Sequence, residues 1–122
     1  MTNCKPAATP IDAKGKLSAD GPAIDDAKTY RSLAGALQYQ TVMWPDLAFA
    51  VQQVCLHMHD PRAPHLALLE RILRYVRGTS TLGLSLRGSP DLTVTAYSDA
   101  DWASSPDTRR STPGFCVFLG DA

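Results

Sequence analysis

The chain has 122 residues, 44% of them hydrophobic and 20% charged, with a formal net charge of zero. That suffices for one ordinary domain, or for one small core with an unfinished appendage, and it is too apolar for wholesale disorder. No run approaches the roughly 20 apolar residues of a membrane helix, and residues 1–10 lack the apolar centre of a secretory signal. An intracellular protein, cytoplasmic or nuclear, with no membrane partner is therefore expected. Cys4, Cys55 and Cys116 are odd in number, widely spaced and without a CxxC pair, which reads as three reduced thiols.

The zero net charge is unevenly distributed. Residues 1–29 balance four Lys with four Asp. Residues 30–90 set six Arg against Asp46, Asp60 and Glu70, whereas residues 91–122 set five Asp against Arg109 and Arg110. A basic middle and an acidic end can attract one another or attract separate partners. The overall balance alone gives no ground for a nucleic-acid binder.

Residues 1–25 carry Pro6, Pro10, Pro22, Gly15 and Gly21 among few large apolar groups, so they read as an extended leader or flexible lid. A helix is predicted from Asp25 or Asp26, either of which can cap free amides, to about Gln40. Tyr30, Leu33, Ala34 and Leu37, with Val42 beyond them, give it a short apolar stripe, which Gly35 weakens. Pro45 fits the first turn of a second helix carrying Leu47, Ala50, Val51, Val54, Cys55 and Met58, and Asp60-Pro61 stops it. A third helix runs from about Pro64 to Arg77. Its predicted seam is Leu66, Leu69, Leu73 and Val76, widened by Leu68 and Ile72, with Glu70 in reach of Arg74 and Gly78 as terminator.

The period then changes. Leu82, Leu84 and Leu86 alternate with small residues as one strand, Gly88-Ser89-Pro90 turns, and residues 92–98 form a second strand. After a polar connection at 103–113, residues 114–119 form a third. The fold class is α+β: a three-helix region followed by a small, incomplete sheet, with an expected division into a leader (1–25), a helical region (26–90) and a strand region (91–122). Exposed edges on so small a sheet make self-association or a partner reasonable.

Several runs in fixed order carry a resemblance. Tyr30 to Tyr39 (YRSLAGALQY), Pro45 to Val51 (PDLAFAV), Leu73 to Thr79 (LRYVRGT), Tyr97 to Ala103 (YSDADWA) and Asp107 to Thr112 (DTRRST) resemble the polyprotein of plant copia-type retrotransposons. The leader, with Cys4-Lys5-Pro6 and Thr9-Pro10, resembles the stretch after the polymerase palm. The resemblance implies reverse-transcriptase thumb and connection for the helical region and the first ribonuclease-H-like strands for 92–121. It further implies a helical region that grips template–primer duplex and a nuclease domain that cuts RNA in an RNA–DNA hybrid. The palm's Tyr-x-Asp-Asp motif does not occur here. Ser104-Ser105 stand where the family usually has Gly-Cys, Pro113 where it has Ser, and Gln40 and Trp44 where it has Leu and Arg.

Asp99 matches the family's first metal-binding aspartate. Two-metal hydrolysis needs several carboxylates converging on ions roughly 4 Å apart. Asp99 and Asp101 share a side if the strand persists between them, and the remaining acidic ligands are expected beyond residue 122. Asp99 is thus read as a vestigial ligand position: no active catalytic residue, no occupied metal site and no cofactor are expected, with Mg²⁺ or Mn²⁺ entering only if another chain completes the site. Arg71, Arg74 and Arg77 are the candidates for nucleic-acid contact, against a solvated helix face. His57, His59 and His65 lack the spacing and cysteine partners of a structural metal site. Trp44 and Trp102 read as packing residues.

The leading expectation is a non-catalytic fragment that binds an unknown protein partner, self-associates or engages element-derived polymerase through its unpaired sheet edge, with Phe115 and Val117 as contact candidates. The alternative is a weak module for RNA–DNA hybrid or other duplex, using the basic third helix. An enzyme completed by another chain comes third.

Overall fold

In the computed structural model, which describes residues 4–12, 17–83, 90–103 and 105–120, Asp26 starts the first helix. Its carboxylate accepts the Thr29 amide at 2.9 Å, satisfying one of the donors a helix start leaves free. Helix α1 spans Ala27–Gln40 and buries Tyr30, Ala34 and Leu37. Pro45–Leu47 forms a single 3-10 turn that leads into α2, Ala48–Leu56. Pro64 enters α3, Ala63–Gly78, within its first turn, where a missing amide proton costs little.

The three helices close on one core of Tyr30, Ala34, Leu37, Leu47, Ala50, Val51, Val54, Leu68, Leu69 and Ile72. The Tyr30 hydroxyl donates to the Val54 carbonyl at 2.9 Å, which ties α1 to α2 inside that core. Burial pushes the Tyr30 phenol well above its usual range, with Cys55 adding to the shift. The seam of α3 is rotated from the one its leucines suggest. Buried are His65, Leu68, Leu69 and Ile72, while Leu66, Leu73 and Val76 are only partly covered. A count of apolar residues omits His65, and that omission moves the apparent centre. Val42 lies past α1 in an exposed turn, and no Glu70–Arg74 ion pair is present among the described residues.

The described parts of the leader, residues 4–12 and 17–25, follow α3 in the antiparallel sense. Ala23 bridges to Arg62, the Pro22 carbonyl accepts from the Ala63 amide at 2.9 Å, and the Ala7 amide donates to the Arg74 carbonyl at 3.4 Å. Ile11, Leu17 and Ile24 pack on the core. Two glycines permit this approach. Gly21 has a φ of +114°, and a Cβ there would lie 2.9 Å from the Pro64 ring; a Cβ on Gly78 would lie 2.8 Å from Pro6.

Residues Met1–Gly83 and Leu84–Ala122 form two compact units. In the second, β1 (Val94–Asp101) pairs antiparallel with β2 (Thr112–Leu119). Asp91 turns the chain into β1 by accepting the Thr93 hydroxyl at 2.6 Å and its amide at 2.9 Å. The Thr93 side chain, then its backbone, holds the Asp91 carboxyl below the usual range. β2 starts at Thr112, earlier than expected, and takes in Pro113. Each strand of a two-stranded sheet keeps one edge unpaired, so the missing amide proton is tolerated. The strand expected over 82–86 is not found at Leu82 and Gly83, and its remainder lies outside the described residues. The architecture is α+β, three helices followed by a small open sheet.

Two substitutions in α1 test this account. A Cβ on Gly35 meets open space, so Gly35→Ala should raise stability by about 0.5–1 kcal/mol, seen as a higher urea midpoint at unchanged slope. Asp26→Ala should lower it. The side chain and then the amide of Thr29 hold the Asp26 carboxyl below its ordinary value of 3.8. The cap therefore stabilises fully above that value and is lost as pH falls through the lower native one. The gap between Asp26→Ala and the parent chain should close in acid.

Candidate functional site

Residues directly opposite in an antiparallel pair share a face, and successive residues alternate. The register Val94↔Leu119, Ala96↔Val117, Ser98↔Phe115 and Ala100↔Pro113 therefore gathers one face that is apolar but for Ser98. The pairs Thr95↔Phe118, Tyr97↔Cys116, Asp99↔Gly114 and Asp101↔Thr112 form the other, mixed face. Tyr97 and Phe118 meet there edge to face, with centroids 6.1 Å apart. The apolar face is open: Phe115 is 85% exposed, and Val94, Val117 and Leu119 are exposed as well. Phe115 and Val117 thus lie side by side on one surface. A two-stranded sheet has no second layer with which to cover it.

Asp99 and Asp101 lie on the opposite face. Strand persistence puts them on the same side, but two residues of rise separate them by roughly 7 Å along the strand. Asp99 accepts the Ala100 amide at 2.8 Å, a local contact that turns its carboxylate onto the backbone. Asp107 sits in the connection, where Ala103 and Arg109 adopt left-handed φ values of 50° and 55°. Among the described residues no group of three or more His, Cys, Asp or Glu is placed to hold a metal ion.

The α3 arginines face the leader. Arg71 donates from Nε to the Thr9 carbonyl at 3.0 Å, from Nη2 to Thr9 Oγ1 at 2.9 Å and from Nη1 to Asp12 Oδ2 at 2.9 Å. Its Nη2 also pairs with Asp12 Oδ1 at 2.7 Å. Arg77 donates to the Cys4 carbonyl at 3.0 Å and approaches its sulfur at 3.4 Å. The Nε of Arg74 is buried without a protein partner. Apolar periodicity carries no trace of these contacts, because they join residues about 60 to 70 positions apart through backbone carbonyls.

The histidines have structural surroundings. His65 is fully buried; its Nδ1 accepts the Arg62 amide and its Nε2 reaches the Ser18 carbonyl, each at 2.9 Å. These partners require the neutral ring with its proton on Nε2. The His57 ring stacks on it, with centroids 3.9 Å apart and 16° between planes. Trp44 packs against the helical core, whereas Trp102 is 85% exposed and does not meet the packing expectation. The Tyr75 hydroxyl donates to Asp46, which raises the phenol's pKa and links α3 to the 3-10 turn.

The thiols offer a probe of both units. Burial pushes the Cys55 thiol upward, and Cys116 is exposed on the hairpin. Under limiting maleimide near pH 7.5, mass mapping should find Cys116 labelled first and Cys55 labelled slowly, since the thiolate is the reactive form.

Relatives connect these surfaces to a lineage. The uncharacterized mitochondrial protein AtMg00810 of Arabidopsis thaliana is 46% identical over 120 residues, 98% of this chain and 50% of its own length. A second mitochondrial protein of that plant, AtMg00240, is 42% identical over 81 residues, 66% of this chain and 73% of that protein. The retrovirus-related Pol polyprotein from transposon RE1, also of Arabidopsis thaliana, is 42% identical over 121 residues, 98% of this chain and 8% of the polyprotein. The chain thus spans about half of the first relative and a small part of the polyprotein. No family model and no solved structure matches it. Identity at this level, in the order of motifs read from the sequence, means that the chain is homologous to a segment of the copia-type, retrotransposon-related Pol polyproteins of plants.

Proposed function

We propose that this chain acts as a non-catalytic Pol-derived fragment, a protein-interaction or self-associating module that works through the apolar face of its hairpin. The observation that carries the reading is the register, which gathers Val94, Ala96, Pro113, Phe115, Val117 and Leu119 on one face, with Phe115, Val117, Val94 and Leu119 exposed. In this reading residues 26–90 are thumb- and connection-like, and residues 91–122 are the first ribonuclease-H-like strands, with Asp99 a vestigial ligand position. An eight-residue strand pair offers a face on the order of 26 by 10 Å, close to the size of the largest apolar patch on a typical monomer, which is often functional. It is smaller than the roughly 800 Å² per partner of a stable complex. Association through this face alone is therefore weak and concentration dependent, and a tight partner must also engage a sheet edge.

Sedimentation velocity over a concentration series tests the reading. Phe115→Lys combined with Val117→Lys should weaken self-association at least tenfold. Reversing Arg71 and Arg74 to Glu should leave it near the parent value. A parent chain that stays monomeric at the highest concentration would remove the self-association arm. Association insensitive to both lysines, in a variant whose hairpin amide signals are retained, would overturn the assignment to this face.

A further inference from the structure

The leader's grip on α3 has a consequence independent of the hairpin. A guanidinium carries five N–H donors, and in Arg71 the Nε, Nη1 and Nη2 groups are all engaged by Thr9 and Asp12. A phosphate oxygen pair that sought the usual two-pronged contact with Arg71 would find it taken. Arg77 donates from Nη1 to the Cys4 carbonyl, and the Ala7 amide lies on the Arg74 carbonyl between them. Arginines three residues apart on a helix follow one another at a rise of about 4.5 Å, so a released leader would free the guanidinium groups of Arg71 and Arg77, with Arg74 between them along the helix. The Nε of Arg74 already lacks a protein partner among the described residues.

We infer that residues 4–12 are a removable strap over an arginine row on α3, and that leader docking and nucleic-acid phosphate binding at Arg71, Arg74 and Arg77 exclude one another. Apart from Ile11, which packs on the core, the strap is held at this end by weak polar contacts. The Asp12 side chain is 70% exposed, and ion pairs so open to water contribute little net stability. The Ala7 bond is long at 3.4 Å. Planar arginine forks in a row suit the repeated oxygens of a phosphodiester backbone better than scattered carboxylates. The closed strap accounts for a basic helix in a chain whose net charge is zero: an internal Asp and carbonyls stand where a polyanion would lie.

The test uses the full chain and a labelled RNA–DNA hybrid, with binding read by anisotropy at low salt and strap release by hydrogen exchange at the Ala7 amide. Thr9→Val with Asp12→Ala removes the side-chain acceptors that hold Arg71 and leaves every arginine in place. This variant should exchange faster at Ala7 and bind at least tenfold tighter than the parent. Asp20→Asn, which makes the same charge change away from Arg71, should shift affinity less than twofold. Adding Arg71→Gln to the released variant should cancel its gain, and a synthetic peptide of residues 4–12 in excess should compete with the hybrid. The proposal is overturned if Ala7 stays protected in the released variant, or if faster exchange brings no tighter binding. A gain that survives Arg71→Gln also overturns it, as does equal competition by a polyglutamate, which would identify an acidic protein surface as the ligand.

Discussion

The ring of His65 joins α3 to the leader and to the end of α2, because both nitrogens and one face are occupied. Nδ1 accepts the Arg62 amide, one of the donors that the start of α3 would otherwise leave unsatisfied, and Nε2 donates to the Ser18 carbonyl of the leader. One face of the ring lies against His57 at the end of α2. A buried polar group without partners costs roughly 1–3 kcal/mol, so the placement of this ring and that of α3 and the leader depend on one another. The neighbouring contacts follow in order: Ala63 to Pro22, Gly21 against Pro64, Ala23 to Arg62. The alignment set at one end is continued by the arginines at the other.

The hairpin unit obeys a different economy. The helices bury their stripes against one another, whereas a pair of strands has two faces and no second layer. Alternation places both strand aspartates on a mixed face with Tyr97 and Phe118, and leaves the face of Phe115 apolar but for Ser98. An apolar face of this kind is stable in water only at a cost, which a covering surface would offset. The side that carries Asp99 lacks the converging ligands of a metal site among the described residues, so the chemical interest of the hairpin shifts to its other face.

The basic third helix shows how composition and structure can diverge. Read from charge, its arginines are a phosphate-binding stripe or a solvated surface. In the folded unit Arg71 and Arg77 instead hold backbone carbonyls of the leader, which no periodicity encodes. The leader, rich in Pro and poor in large apolar residues, gives no local reason to adopt one path. Its course is fixed by the donors of α3 and by the absence of side chains at Gly21 and Gly78.

Much was legible in the sequence because it depends on neighbours. Helix starts at Asp26 and Pro45, the helical period through Leu69 and Ile72, and the strand alternation around Tyr97 and Phe115 follow from local sterics, capping and the periods 3.6 and 2. The order of family motifs was equally local. What only the tertiary structure decided were contacts between distant positions: the rotation of the α3 seam onto His65, the antiparallel course of the leader, the exposure of Trp102 and the pairing that sets Phe115 beside Val117 on an uncovered face. Those depend on which donors and surfaces remain free once the helices have packed, and a one-dimensional pattern does not carry that information.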